Sequence, residues 1–317
     1  MYFLLTRIGA AAIVIALKSF VIFVLIGLMP GDPVDLLMTA NPDATPEDVA
    51  KLRSIYGVDQ PIIARYLSWL LAALHGDLGF SRIQHRPVLD VVVPALGNTL
   101  MLTGTAFLIS TTIALTLGTV AALCPGRWPD KAINLLAYCA ISLPGFWLGL
   151  LLIYVFAVKL GMLPAGGMPR PGEAHPAWAY IVLPLATLIT VEIGGLTRYT
   201  RAAVLEVIGQ DYVRTAHAKG LSTWRVVIRH VLRNAMIPVV TVIALDFGHL
   251  LSGVTLIETM FGWRGMGRLI YESIMGNDYN LALVCLLATT AMILLGSMLA
   301  DIAYSWLDPR IGLGARR

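Results

Sequence analysis

Charged side chains are scarce in this chain. Asp, Glu, Lys and Arg make up only 13% of its 317 residues, against about 25% in a typical soluble protein. Apolar residues make up 57%, and the mean hydropathy is +0.77. A soluble globule of this length could not cover so much apolar surface with so few charges. The composition therefore excludes a disordered chain, a collagen-like fibre and a conventional cytosolic enzyme, and it favours a membrane protein.

Cysteine and the common catalytic motifs are also scarce or missing. The three cysteines are far apart and lie in or beside apolar runs, which indicates buried small side chains rather than a disulfide scaffold or a redox pair. The sequence contains no phosphate-binding G-x-x-x-x-G-K-[ST], no G-x-S-x-G and no H-E-x-x-H. We find no internal repeat. The sequence therefore predicts no catalytic residue, no metal site and no cofactor bound by this chain.

Six apolar segments are present, each long enough to cross about 30 Å of hydrocarbon at about 1.5 Å per residue. They lie near 8–29, 98–123, 132–158, 178–197, 235–257 and 281–305. The first is about twice as long as the apolar part of a secretory signal and lacks a small-residue cleavage pattern, so we expect it to stay in the membrane. This pattern predicts an all-α integral membrane protein whose residues 1–317 form a single transmembrane domain.

The basic residues indicate the orientation of these spans. With the N-terminus in the cytoplasm, the inner segments hold thirteen Lys and Arg residues and the two short outer loops hold four. Positive charge accumulates on the cytoplasmic side, and long loops count little in this comparison. The sequence therefore predicts that both termini are cytoplasmic and that 32–97 is an extracytoplasmic loop. Helices are expected within it at 45–57 and 62–74, the second with an apolar stripe that could lie on the outer membrane face or on the spans.

A basic segment, 198–234, joins the fourth and fifth spans on the predicted inner side. It carries seven basic residues and two acids. Its pattern is helical but is interrupted by Gly209 and Gly220, and Ser222 is placed to cap a new helix. We therefore expect a helix, a glycine turn and a second helix along the inner surface. Such a segment, attached to two spans, could act as a lever on them.

The residues of this segment carry a resemblance to a known family. DYVRTAHAKGLS at 211–222 and HVLRNAMIP at 230–238 resemble the EAA loop of ATP-binding-cassette importer permeases, in the version of the dipeptide/oligopeptide/nickel transport family. Further segments fall where that family has them: PGDP at 30–33, GVDQP at 57–61, GDLG at 76–79, ETMFGWRGMG at 258–267 and LDPRI at 307–311. Each match alone is weak, but their common order makes the resemblance specific.

The resemblance implies a fold and a set of partners. It implies a type I importer permease that pairs with a sister permease as a heterodimer. Two ATP-binding-cassette ATPase subunits would hold ATP and Mg, and an extracytoplasmic binding protein would deliver the substrate. The chain itself would be a pore-forming subunit and not an enzyme. Its location would be the inner or plasma membrane of a bacterium or archaeon, in contact with lipid.

The resemblance also identifies two sets of residues, the first with an expected role. The ATPase-coupling segment, 214–221, is expected to seat on an ATPase subunit and to swing the spans when that subunit closes on ATP. It consists of Arg214, Thr215, Ala216, His217, Ala218, Lys219, Gly220 and Leu221. The outer-loop signature consists of Glu258, Phe261, Trp263, Gly265 and Gly267.

Four charged residues fall within the predicted spans: Lys18, Glu192, Asp246 and Asp301. Each costs about 2.5–3.5 kcal/mol near the bilayer centre on insertion scales, so each should face protein, water or an opposite charge. Glu192 and Asp246 are candidates for the translocation pathway, together with His249 one helical turn after Asp246. Ion pairing within the bundle is the alternative for these acids, and we favour a structural role for Lys18 and Asp301.

Two small-residue and aromatic patterns favour packing and anchoring roles. Gly145 and Gly149 have the G-x-x-x-G spacing that lets helices pack closely. Aromatic residues near span ends are typical membrane-interface anchors. This group comprises Trp178, Trp263, Tyr304 and Trp306.

The sequence leaves the transported molecule open. Di- or oligopeptides are the first expectation, and nickel or a metal–chelator complex is the alternative, because the resembling family covers both. A secondary transporter usually shows inverted repeats or broken helices, and a membrane-embedded enzyme would need a catalytic motif. We find no such repeat and no catalytic motif in the sequence. Nucleic-acid binding has no support, because the basic residues serve orientation and the inner surface.

Overall fold

The computed structural model describes residues 2–28, 60–169, 172, 175–248 and 254–307. Side chains within these ranges are described for 6–28, 60–169, 172, 175–247 and 254–300. The helix predicted at 45–57, the residue His249 and the side chain of Asp301 lie outside them.

The described part of the chain is helical apart from one small hairpin. Its helices are α1 (Tyr2–Gly27), α2 (Ile62–Leu74), α3 (Val88–Leu123), α4 (Trp128–Ser142), α5 (Gly145–Leu152), α6 (Ala179–Ile208), α7 (Asp211–Ala218), α8 (Thr223–Val226), α9 (Arg233–Gly248), α10 (Thr255–Met260), α11 (Met266–Met275) and α12 (Tyr279–Leu307). Strands β1 (Phe80–Ser81) and β2 (Arg86–Pro87) pair antiparallel, with Phe80 opposite Pro87. The predicted all-α fold is confirmed.

Five helical stretches are long and apolar enough to cross a membrane, and a bent pair of helices makes a sixth candidate. The five are Thr6–Gly27, Val88–Leu123, Ala179–Ile208, Thr223–Phe247 and Tyr279–Ala300. The second has 36 residues, roughly 54 Å at 1.5 Å per residue, so it is much longer than a bilayer core. The fourth begins at Thr223, well before the predicted span 235–257, because the basic inner segment continues into it as helix.

The predicted third span, 132–158, is not one straight helix. Helices α4 and α5 meet at an angle of 100°. The break falls at Leu143 and Pro144, which have the extended backbone ψ values of 124° and 129°. Proline has no amide hydrogen and disfavours helical backbone in the residue before it, which explains the bend. After α5 the chain continues as π-helical turns from Ile153 to Lys159.

The chain divides into two compact units. The first comprises residues 1–97 and 265–291, and the second comprises 98–264 and 292–317. In the first unit α2 packs on α1: the Tyr66 hydroxyl lies 2.8 Å from Ser19 Oγ, and the Tyr66 ring meets Phe20 and Phe23 edge-on at centroid distances of 5.2 and 5.5 Å. The apolar stripe of α2 therefore lies on the first span, one of the two predicted alternatives.

A polar clasp ties the hairpin to the turn between α11 and α12 in the first unit. Asp278 is 2% exposed and accepts hydrogen bonds from Ser81 Oγ at 2.6 Å and from the Ile83 amide at 3.0 Å. Its other oxygen accepts from the Leu281 amide at 3.3 Å, in the first turn of α12. One carboxylate therefore fixes the hairpin and starts a helix.

Two apolar clusters lie among the described residues of the second unit. One surrounds Phe261 and Trp263 and includes Leu102, Leu183 and Ile257 from α3, α6 and α10. The other lies where α3, α6 and α9 approach the basic segment, and it includes Val204, Val231 and Val239. This second cluster is the base on which the coupling segment rests.

Candidate functional site: the coupling segment and the carboxylates of the spans

The basic segment folds as two helices separated by a glycine turn. Helix α6 extends to Ile208, α7 follows from Asp211, and α8 begins at Thr223. Gly220 lies between α7 and α8 with a φ of +80°, a backbone conformation that is costly for residues with a Cβ atom. Ser222 occupies the N-cap position of α8, but its side chain makes no capping hydrogen bond. The predicted order of helix, turn and helix matches these elements.

Two small apolar residues anchor α7 to the second unit. Val213 is 2% exposed and Ala216 is 5% exposed, and both belong to the cluster that includes Val204 and Val239. Their spacing of three residues places both on one face of the helix. Since this cluster contains side chains of α3, α6 and α9, a displacement of α7 acts on the ends of three long helices.

The opposite face of the same segment is open. Arg214, Thr215 and Lys219 are exposed, and Trp224 on α8 is 72% exposed. We call these four residues the coupling surface. His217 and Ala218 are exposed as well, and Leu221 is half-buried. The coupling segment predicted from sequence ends at Leu221 and does not include Trp224, which the structure places on the same open side.

The two candidate pathway carboxylates lie in the second unit. Glu192 on α6 is half-buried and accepts a hydrogen bond of 2.7 Å from Ser110 Oγ on α3. Asp246 on α9 is exposed and lies within electrostatic range of Glu192. The structure therefore brings these two predicted residues into one region, next to a ring contact of 5.6 Å between Phe107 and Phe247.

Lys18 is exposed on α1, in the first unit. Its pairing with one of the acids stays a prediction, as do the roles of Asp301 and His249. Within the described ranges, no three His, Cys, Asp or Glu side chains are grouped closely enough to hold a metal ion.

The outer-loop signature begins as a helix with a buried acid. Glu258 on α10 is fully buried and accepts a hydrogen bond of 2.6 Å from Thr99 Oγ1. Phe261 and Trp263 are 1% and 2% exposed. The Trp263 indole Nε1 donates to the Asn98 carbonyl at 3.0 Å, so the residue is part of the core. The interface-anchor interpretation of Trp263 was wrong, because position near a span end cannot distinguish an anchor from a buried tryptophan.

The remaining signature glycines begin the next helix in the first unit. Gly265 is the N-cap residue of α11, and Gly267 is buried in its first turn. Trp178 is the other predicted anchor whose side chain the structure describes. It is 64% exposed and fits an interface role. Gly149 has Met260 and Phe261 within contact distance of where a Cβ atom would stand, so close helix packing at this position is observed.

Comparison with known proteins places these features in a family. Residues 114–313 match the family described as binding-protein-dependent transport system inner membrane component, and residues 1–103 match the N-terminal region of such components. The glutathione transport system permease protein GsiC of Escherichia coli strain K12 is 37% identical over 293 residues, covering 92% of this chain and 93% of its own. The protein of the same name from Shigella flexneri serotype 5b is 36% identical over the same shares.

Solved transporters have the same fold at lower identity. A structure of the inward-facing MetNI methionine ABC transporter has a TM-score of 0.55 and 17% identity, covering 69% of this chain and 97% of that one. An amino acid ABC transporter solved with histidines has a TM-score of 0.52 and 15% identity, covering 68% of this chain and 94% of that one. The fold, the match over nearly the whole chain and the multi-pass helices agree, and they exclude an enzyme as the function of this chain. The chain belongs to the inner-membrane permease subunits of binding-protein-dependent ATP-binding-cassette importers.

Proposed function

We propose that this permease forms half of the pore of an importer for di- and oligopeptides, including glutathione-like tripeptides. The identity of 37% with a glutathione permease supports a peptide-like substrate. The two nearby carboxylates, Glu192 and Asp246, suit the positively charged amino group that free peptides carry. Nickel, the other substrate of the resembling family, gains no support from the described side chains, which form no metal-ligand cluster.

In this proposal the partner ATPase binds the coupling surface. The observation that supports it is the two-sided burial of α7: Val213 and Ala216 are fixed to the spans, while Arg214 and Lys219 face away. A docked ATPase subunit that closes on ATP would push α7 and, through the shared apolar cluster, the ends of α3, α6 and α9. ATP and Mg would be bound by the ATPase subunits, and a sister permease would complete the pore.

The proposed topology has both termini and the coupling surface in the cytoplasm, and the hairpin of residues 80–87 outside. The excess of basic residues in the inner segments supports it. Substrate would arrive from an extracytoplasmic binding protein on the hairpin side. The spans would alternate between inward-open and outward-open by rigid-body movement.

Reconstituted uptake tests the substrate. The complete importer, with its binding protein, ATPase subunits and both permeases, is placed in liposomes and supplied with ATP. Radiolabelled glutathione, a dipeptide, a pentapeptide and chelated nickel are compared. We expect ATP-dependent uptake of at least one peptide and no uptake without the binding protein. Uptake of nickel alone would overturn the peptide assignment, and uptake without ATPase subunits would overturn the mechanism.

Replacement of Asp246 tests the pathway. Asp246→Ala should lower peptide uptake at least about tenfold, because it removes a hydrogen bond to the charged substrate amine that contributes about 1.5 kcal/mol. The assembled complex should be recovered in normal yield, since Asp246 is exposed in this chain. Glu206→Ala is the matched control, because Glu206 is an exposed acid at the end of α6 beyond the predicted span. Normal uptake by Asp246→Ala would remove this residue from the pathway.

A further inference from the structure

One buried carboxylate at the start of α4 is held by four hydrogen bonds. Asp130 is 4% exposed. It accepts from the Gly126 amide at 2.8 Å and from Asn134 Nδ2 at 2.6 Å. Arg201 on α6 binds both its oxygens, through Nε at 2.6 Å and Nη2 at 2.8 Å. A bidentate pair of this kind fixes the relative position and orientation of the two side chains.

Two further contacts follow the same pair of helices. The Arg198 guanidinium lies 4.5 Å from the centroid of the Tyr138 ring. A Cβ atom added to Gly194 would lie 2.6 Å from the Ala137 carbonyl oxygen, so the two backbones are in close contact there. Positions 194, 198 and 201 lie on one face of α6. The ion pair is therefore the last of three contacts that hold α4 against the same face of α6.

The ion pair lies close to the coupling segment along the chain. Helix α6 continues from Arg201 to Ile208, and α7 begins three residues later at Asp211. Ala203 and Val204 on α6 share an apolar cluster with Val213 on α7. A force applied to α7 therefore reaches the end of α6 that carries Arg201. Helix α4 has no residue in this cluster among those described, so another contact must transmit that force to it.

We propose that, of the three contacts between α4 and α6, the Asp130–Arg201 pair is the one that fixes their adjoining ends, so that these ends move as one body and the coupling segment also drives the bent helix pair α4–α5. The inference rests on the proposed role of the coupling segment. Asp130 and Arg201 are positioning residues, since neither is proposed to touch substrate or ATP. The pair stabilises the ionised carboxylate of Asp130, because the two hydrogen bonds from the Arg201 guanidinium favour its charged form. Its bidentate geometry also fixes the orientation of the two helix ends, which a single apolar contact would not do.

The first experiment measures whether the two helices move together. Spin labels are placed at Lys131→Cys and Ala202→Cys, two exposed positions next to the pair, in a chain with Cys124 and Cys139 replaced by alanine. The distance is measured by electron spin resonance in the assembled importer, without nucleotide and with a trapped ATP analogue. We expect the distance to stay constant within about 2 Å, the scale of ordinary helix shifts. A larger change would overturn the proposal.

A positive control shows that the importer moves in this assay. A label at Ala202→Cys is paired with a label on the second permease, and this distance should change when nucleotide is added. If it changes while the Lys131–Ala202 distance also changes, α4 and α6 are independent and the inference fails. If the labelled importer moves normally but cross-linking finds no ATPase at the coupling surface, the proposed coupling role fails instead. The two failures are thus distinguishable.

The second experiment measures coupling in a variant. Asp130→Asn keeps the shape of the side chain and removes its charge. We expect substrate moved per ATP hydrolysed to fall at least about fivefold, with ATP hydrolysis within about twofold of normal. Glu272→Gln is the matched control: it neutralises an ion pair with Arg268 of the same 2.6 Å length that lies within one helix. It should leave the ratio unchanged.

The ratio separates positioning from a merely structural role. A purely structural pair would lower uptake and ATP hydrolysis in proportion, since fewer complexes would assemble. That result, or an unchanged ratio in Asp130→Asn, would overturn the proposal. If Asp130→Asn fails to assemble, Arg201→Lys takes its place: it keeps the charge and loses the bidentate geometry, so the same fall in the ratio is expected and an unchanged ratio would overturn the proposal.

Discussion

Single polar residues determine local geometry in this permease. Asp278 shows this, since its two oxygens serve the hairpin and the first turn of α12. Gly220 shows the same for the backbone, because its φ of +80° sets the angle between α7 and α8. The sequence marks such residues weakly. An aspartate before a helix predicts a cap, but nothing in the sequence indicates that its partner is a serine nearly two hundred residues earlier.

Removal of the Asp278 carboxylate should reduce the protection of the hairpin amides against hydrogen exchange. Asp278→Ala leaves the Ser81 hydroxyl and the Ile83 amide without this acceptor, at about 1–3 kcal/mol for the buried hydroxyl and less for the partly exposed amide. Amide hydrogen exchange over residues 79–87 should accelerate at least tenfold. Asp77→Ala is the control, because it removes one exposed hydrogen bond to the Gly79 amide and should change exchange little. Equal exchange in both variants would show that the clasp does not hold the hairpin.

The turn at Gly220 predicts a loss of coupling in a β-branched variant. No atom stands within 4 Å of where its Cβ would be, so only the backbone conformation opposes substitution. Left-handed backbone costs an L-residue about 1–2 kcal/mol, and asparagine tolerates it better than valine. Gly220→Val should therefore reorient α7 and lower uptake per ATP, while Gly220→Asn should keep most of it. The amount of substrate moved per ATP hydrolysed is measured in reconstituted importer. Normal coupling in Gly220→Val would count against the lever.

At the scale of elements, helix contacts depend on where small residues fall. Gly194 and Gly195 are neighbours on α6, yet only Gly194 faces a backbone: its Cβ would meet the Ala137 carbonyl at 2.6 Å, whereas Gly195 has open space. The sequence predicts that glycines in spans assist packing. It does not indicate which of two adjacent glycines does so, because that depends on the rotation of α6 relative to α4.

This pair of glycines predicts opposite effects of alanine. Gly194→Ala should destabilise the solubilised importer by about 1–3 kcal/mol, the usual cost of overpacking. Gly195→Ala should be neutral or stabilising by up to about 1 kcal/mol, since alanine favours helix more than glycine does. Thermal unfolding of the detergent-solubilised complex measures both. If the two variants melted at the same temperature, the close contact between α4 and α6 would be doubtful.

At the scale of the whole molecule, orientation in the membrane is the property on which the function depends. In the proposed mechanism the coupling surface faces the ATPase and the hairpin faces the source of substrate. The distribution of basic residues supports this arrangement. The fold alone would serve either orientation, because helices can cross a bilayer in both directions.

Accessibility labelling tests the orientation. Single cysteines are introduced at His85 and at Lys219, both exposed, after Cys124 and Cys139 are replaced by alanine. In intact cells that lack an outer membrane, an impermeant thiol reagent should label His85→Cys and spare Lys219→Cys. In inside-out vesicles stripped of the ATPase subunits, which would otherwise cover Lys219, the pattern should reverse. Labelling of Lys219→Cys from outside would refute the proposed topology and the coupling role together.

The sequence by itself determined the class of protein, the approximate positions of the apolar helices and the membership of the importer family. These follow from length, hydropathy and local motifs, which are properties of short segments. The tertiary structure decided which of these residues meet. It placed Trp263 in the core, bent the third predicted span by 100° at Pro144, brought Glu192 near Asp246 and joined Asp130 to Arg201. Such contacts depend on helix rotation and relative position, which hydropathy and local motifs do not specify, because many rotations bury an apolar helix equally well.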